Sequence, residues 1–334
     1  MKLYPTLLFL LGTVTSAALG TSYFLHDEVV GWDFYTHFDF QNIPDPTHGR
    51  VLYVDRPTAI TQNLTYACSD AFILRADDKT ILDPQGPGRM SVRLQSFRRY
   101  KNTVLVWDIR HMPQGCGTWP AVWTDGPDWP NGGEIDIIEG VNDQSPNSAT
   151  LHTNANCTMA ANRPQLGTVK QDDCDVSVNF NAGCGVSFPT SNSYGPAFNQ
   201  NGGGWYAMER SPTHIRVWFW PRDGPVPEDV RHNEGEVEPD HWGTPTAYFP
   251  STSCDIQKHF TAQWIIINLT FCGDWAGNVY GTSGCPGTCV DYVNNHPEAF
   301  SEAYFDFASL RIYKPFDYTP SVSVNVTLNV TIDI

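Results

Sequence analysis

Positive charge is what this chain lacks first. Its 334 residues carry 20 Lys and Arg against 36 Asp and Glu, a formal net charge of −16. Phosphate backbones and anionic membrane surfaces select for the opposite sign, so neither nucleic acid nor membrane is expected as a partner. Long apolar runs are scarce too. The one near the start, Leu3 to Val14, is too short to span a bilayer, and nothing later reads as a transmembrane helix. Helical periodicity is weak throughout; the short stretch "HPEAFSEAY" (296–304) is the best candidate for helical turns. A Gly-rich phosphate loop, a dinucleotide fingerprint, a G-x-S-x-G elbow and an H-E-x-x-H helix are all missing, which removes several large enzyme classes. No cofactor is expected.

Aromatic residues, at 13% with 11 Trp, are plentiful beside only 17% charged residues. That balance suits a protein that handles neutral, hydroxyl-rich surfaces such as sugar rings, although many Trp serve equally well in a core. Met1-Lys2, the apolar run and the small residues Ser16, Ala17 and Ala18 read as a signal peptide over residues 1–20, with a buried N-terminal strand as the alternative. The expectation is a secreted, extracellular protein. At the other end "SVSVNVTLNVTIDI" reads as a strand or short tail, a C-terminal extension over 321–334, without the long run of a glycolipid anchor signal.

Nine cysteines follow the leader: Cys68, Cys116, Cys157, Cys174, Cys184, Cys254, Cys272, Cys285 and Cys289. In an exported chain this means four disulfides and one thiol, with pairing and the odd cysteine left open. Zinc is the rival, but only Cys285 and Cys289 in "GCPGTCV" lie close and no histidine follows at finger spacing, so no metal is expected. N-x-S/T sequons make Asn63, Asn156, Asn268, Asn325 and Asn329 glycosylation candidates.

Short alternating runs separated by Gly, Pro, Asn and Asp turns predict strands at 50–56, 71–78, 90–97, 102–110, 213–220, 263–271 and 309–315. Residues 155–205, rich in Asn, Gly, Ser and Cys, read as loop pinned by disulfides. With no linker or repeat, the chain is expected to form one all-β domain over 21–320, an antiparallel sandwich.

The stretch "GGEIDIIEGVN" (132–142) poses the chemical question, because Glu134, Asp136 and Glu139 interrupt an otherwise apolar run. In a regular strand Glu134 and Asp136 share one face with Ile135 and Ile137 on the other, and Glu139 falls among the isoleucines. A charged group there costs several kcal/mol unless paired. One extra residue, a β-bulge near Ile137-Ile138, returns Glu139 to the face of the other two. Three carboxyls in one groove fit retaining glycoside hydrolysis, with a nucleophile and a general acid/base roughly 5 to 5.5 Å apart and the middle Asp136 keeping their protonation distinct. A calcium site and a decorated edge strand are the plainer alternatives. Trp119, Trp123 and Trp129, within 20 residues upstream, would stack on the C–H faces of pyranoses.

"HMPQGCGTWPAVW", "NGGEIDIIEGVND" and "LHTNANC" (151–157) together closely resemble glycoside hydrolase family 16, the fungal secreted endo-β-1,3(4)-glucanases of laminarinase type with a bulged E-x-D-x-x-E motif. Residues 33–55, 91–97, "HIRVWFW" and "IIINLTFCGDWAG" (265–277) extend the resemblance over nearly the whole mature chain. It implies a β-jelly-roll sandwich of two curved antiparallel sheets with a concave substrate cleft. It implies Glu134 as nucleophile, Asp136 as assisting carboxylate and Glu139 as acid/base. Trp119 and Trp123 would line the glycone side, His152 would neighbour the acids, and Trp275 would wall the acceptor side. The implied substrate is β-1,3-glucan and mixed β-1,3/1,4-glucan, cut internally with retention by a monomer. Two rivals share the fold: a wall-remodelling transglycosylase, whose motif tends to be unbulged, and a glucan-binding lectin, which has no need of the acids.

Overall fold

The computed structural model describes residues 21–316. The leader, the 321–334 extension and the sequons at Asn325 and Asn329 lie outside the described residues. Two antiparallel sheets are stacked on each other. The larger, nine-stranded sheet runs Glu236–Val237, Tyr23–Val29, Tyr304–Pro315, Thr103–His111, Gly204–Arg210, His214–Pro221 and Ala247–Pro250, with Phe72–Arg75 and Thr65–Ala67 attached beside Tyr304–Pro315. The eight-stranded sheet runs Thr168–Val169, Cys184–Ser187, Ser148–His152, Glu134–Glu139, Thr118–Asp125, Gln263–Phe271, Arg93–Tyr100 and Phe38–Phe40. Among the strand pairs of the described residues, the short pair Val51–Tyr53 and Arg89–Ser91 is the parallel one.

The core between the sheets follows from the period-2 patterns. Leu105, Trp107 and Ile109 of one sheet meet Val122, Ile135, Leu151, Ile265 and Ile267 of the other, all buried. A second apolar cluster covers the opposite face of the nine-stranded sheet. There Val104, Val106, Trp205, Trp218 and Trp220 pack beneath Val226, Val230, Val237 and Trp242. Among the described residues the outer face of the eight-stranded sheet has no such cover, and that face carries the carboxyls.

Some predicted elements differ. The 50–56 run is a strand only over Val51–Tyr53; Asp55 then caps the helix Arg56–Thr61 by accepting from the Thr58 N–H, with a proline in its first turn. Around 296–304 a short helix, Pro297–Phe300, does form, and the longer helix Cys289–Asn295 before it escaped the periodicity. Residues 155–205 hold the strands Thr168–Val169 and Cys184–Ser187 and a helix, Gly195–Gln200, besides loop. The disulfides are Cys116–Cys285, Cys157–Cys254, Cys174–Cys184 and Cys272–Cys289, leaving Cys68 as a thiol. Cys285 and Cys289 are thus spent in separate disulfides.

Candidate active site

The acidic strand occupies the middle of the eight-stranded sheet, between Thr118–Asp125 and Ser148–His152. Its register against Thr118–Asp125 slips by one residue between Asp136, opposite Trp123, and Ile138, opposite Val122. The predicted bulge is therefore present. Ile135, Ile137 and Ile138 are all buried in the core while Glu134 and Glu139 remain partly open. A bulge frees backbone groups, and a buried side chain absent from the sequence reading takes them up. Asn147 Nδ2 donates to the Ile137 carbonyl at 2.9 Å and its Oδ1 accepts from the Glu139 N–H at 2.9 Å. Glycine is required at both ends of the strand. Gly133 turns the chain at φ +72°, where a Cβ would stand 2.5 Å from the His259 carbonyl oxygen, and a Cβ on Gly140 would meet the Tyr194 ring at 2.5 Å.

Each carboxyl has a different set of neighbours. Glu134 accepts from Trp129 Nε1 and Glu139 accepts from Trp119 Nε1 at 2.9 Å. Asp136, 2% exposed, has no conventional donor on Oδ2; His152 Nε2 stands 3.4 Å from that atom. Burial pushes Glu134 up to about 7, opposed by the Trp129 and Asp136 hydrogen bonds and by Arg93. Burial also pushes Glu139 to about 7, opposed by Trp119 and His152 and reinforced by the charge of Glu134. Asp136 rises well above the carboxylate range through burial and the charges of Glu134 and Glu139. His152 is lowered by burial and stays neutral, its Nδ1 2.9 Å from Asn181 Oδ1.

Strand register lays out the rest of the face. Glu134 stands between His152 and Asp125, and Asp125 is followed by Trp264 and Arg99. Arg93 lies over the Trp123 ring at 5.0 Å, and Trp123 Nε1 donates to Asn268 Oδ1 at 2.8 Å. Trp123 is therefore on the expected face but is held by protein on one side. Trp119 meets Trp275 edge to face at 5.7 Å; Trp275 sits in the turn Gly273–Gly277, directly after Cys272 of the Cys272–Cys289 disulfide.

Asn268 is a correction to the glycosylation candidates. It is 6% exposed on the floor of this face, with its amide donating to Tyr53 Oη at 3.2 Å, so no glycan fits there. Asn63 and Asn156 are exposed. Asp125, Arg93, Asn147 and Asn181 all escaped the sequence reading as site residues. None has a local signal, because each is recruited by register from another strand or loop. Burial raises Asp125 to about 7, with the Glu134 charge adding to it and Arg93 opposing. Glu134, Asp136 and His152 each offer one donor atom within 4.8 Å of the others, the grouping a divalent cation would use. The hydrogen bonds that Glu134 and His152 already make equally suit acid–base chemistry without one.

Residues 38–313 match the family model described as an XgeA-like catalytic GH16 domain. The chain is 59% identical to laminarinase 16A of Phanerochaete chrysosporium in a structure with two β-glucans in its donor and acceptor sites, with TM-score 0.87, covering 88% of this chain and 100% of that one. An elongating family 16 β-1,3-glucosyltransferase is 41% identical with TM-score 0.82, covering 87% of this chain and 100% of that one. A probable glycosidase of Schizosaccharomyces pombe is 47% identical over 88% of this chain and 70% of its own length. The endo-1,3(4)-β-glucanase of Emericella nidulans is 38% identical over 89% of this chain, which spans only 48% of that protein.

Proposed function

The chain belongs to glycoside hydrolase family 16, and from that premise we propose that it is a secreted endo-β-glucanase. It cuts internal linkages of β-1,3-glucan and mixed β-1,3/1,4-glucan with retention, through a covalent glycosyl-enzyme. The observation that carries the reading is the bulged strand, which turns three carboxyls to one face and gives each unequal partners.

Glu134 has three groups that favour its anion, the Trp129 N–H, the Asp136 hydroxyl and Arg93. It attacks the anomeric carbon of the sugar before the scissile bond. Glu139, kept protonated by burial and by the Glu134 charge, gives its proton to the leaving oxygen as the glycosidic bond breaks. The same carboxylate then takes a proton from water, and the hydroxide released to the anomeric carbon displaces Glu134, restoring the β-configuration. Asp136 holds a proton against Glu134 and gives up hydrogen-bonded stabilisation as the ester forms. His152, neutral and fixed by Asn181, keeps Asp136 in place. Trp119 and Trp275 form the walls that stack on sugar rings.

Transglycosylation is the second reading, supported by the likeness to a glucosyltransferase. The two activities share the first half-reaction and differ in whether water or a sugar hydroxyl resolves the ester. The described residues place no transmembrane-length apolar helix in the chain. Four disulfides support export, and Asn63 and Asn156 are the glycosylation sites we favour, on a protein acting as a monomer. The test is product analysis on laminarin and on mixed-linkage glucan beside Glu134→Ala. Short oligosaccharides released as β-anomers and absent in the variant are expected. Products longer than a supplied oligosaccharide move the assignment to transglycosylation, and binding without products sinks both.

A further inference from the structure

The loop that holds His152 carries a side chain that neither packing nor backbone preference explains. Asn179, Phe180 and Asn181 form three consecutive left-handed residues at φ 50°, 56° and 61°. Asparagine tolerates that region, whereas a phenylalanine there is a strained outlier. Phe180 is also completely exposed, at 106%, beyond every other large apolar side chain among the described residues. A buried ring would offset such strain by leaving water, but this one packs on nothing.

The loop is nonetheless rigidly held at one end of the catalytic row. Cys174–Cys184 closes it, Asn181 binds His152, and Gly183 packs so tightly that a Cβ would lie 2.6 Å from the Leu151 carbonyl oxygen and 2.8 Å from His152 Cε1. His152 stands directly across from Glu134, and the next strand outward, Cys184–Ser187, springs from this loop. Two inter-strand steps therefore separate Glu134 from the loop, about 10 Å along the sheet. That is the reach of a few glucosyl units of a chain lying across the strands.

We propose that Phe180 is an outer sugar-binding platform, on whose ring face a glucosyl unit of the β-glucan stacks, beyond the two rings that flank the cleaved bond. This rests on the glucanase reading above. The C–H face of a β-linked pyranose is apolar, broad and needs no hydrogen bond from its partner, which matches a bare ring at a cleft end. The left-handed backbone aims the ring away from its own loop and into solvent, and the disulfide and the Asn181–His152 bond hold it there before substrate arrives.

The experiment compares laminarin with the shortest laminari-oligosaccharide the wild type cuts, for Phe180→Ala, Phe180→Gly and Phe180→Trp. The Gly variant relieves the left-handed backbone, so its melting temperature should equal or exceed that of wild type. Both truncations should raise KM for laminarin by about fivefold with kcat within about twofold, leave the short substrate unchanged, and be rescued by Trp. An active enzyme whose truncations leave the laminarin KM unchanged, or change both substrates alike, overturns the platform alone. A wild type that cuts neither substrate overturns the glucanase reading and the platform with it.

Discussion

The two outer faces of this sandwich each bury a carboxyl at 2% exposure, and the two acids titrate in opposite directions. Glu209, on the nine-stranded sheet, is pushed up by burial, but hydrogen bonds from His214 at 2.9 Å and from Arg216, with the Arg216 charge, outweigh this and hold it below the usual range. Tyr23 Oη donates a further bond at 2.8 Å. Asp136, on the other sheet, meets burial and the charges of Glu134 and Glu139, and is raised. Burial alone does not mark a reactive carboxyl; what surrounds it does. The tryptophans tell the same story. Trp218 and Trp220 stack and Trp242 meets both edge to face under the chain's own cover, whereas Trp119, Trp129 and Trp275 keep part of their surface open beside the acids.

The sharpest way to break that comparison is to delete one acid from each face. Glu134→Ala should cost on the order of 10⁴-fold or more in kcat on laminarin while leaving the urea midpoint close to wild type. Glu209→Ala should do the reverse, with the folded fraction keeping its turnover and stability falling by about 3–5 kcal/mol because Arg216 and His214 lose their buried partner. Next in size is Asn147→Ala, which strands the Ile137 carbonyl and the Glu139 N–H. It should cost about 2–4 kcal/mol in denaturant melts and lower kcat as Glu139 loses its place.

A smaller effect separates the faces by pH. Glu134 and Glu139 have folded values near 7 against 4.5, so the folded protein binds more protons across that window and their contribution weakens as pH rises through it. Glu209 is lowered, so its contribution is present above about 4.5 and is lost as pH falls. Glu134→Gln should therefore melt a few degrees above wild type at pH 8 and lose that advantage at pH 4. The smallest effect is a count of glycans: peptide mass spectrometry of the protein made in a glycosylating host should find Asn268 unmodified.

The bulge was legible because alternation and charge conflict in one short segment: Glu134 and Asp136 fix the face, and Glu139 regains it only through an extra residue. Strands such as Gln263–Phe271 and His214–Pro221 were legible from period-2 apolar runs. What stays hidden in a sequence is whatever depends on register. Arg93 comes to Trp123, and Asn147 to the bulge, across strands whose offset no local pattern states. The Asn268 sequon misled for the same reason, since a three-residue motif says nothing of burial under Trp123 and Tyr53. Nine cysteines announced four disulfides, but the partners are up to 169 residues apart and chosen by the sandwich.

In the proposed reaction Glu134, not its buried neighbours, forms the covalent bond. Treating the protein with a 2-deoxy-2-fluoro laminaribiosyl fluoride, which slows release of the glycosyl-enzyme, tests it most directly. Intact-mass and peptide analysis should find one disaccharide on Glu134, no label in Glu134→Ala, and full labelling in Glu209→Gln. A label on Asp136 or Glu139, or rapid turnover of laminarin to α-anomeric products with no label at all, would contradict the account.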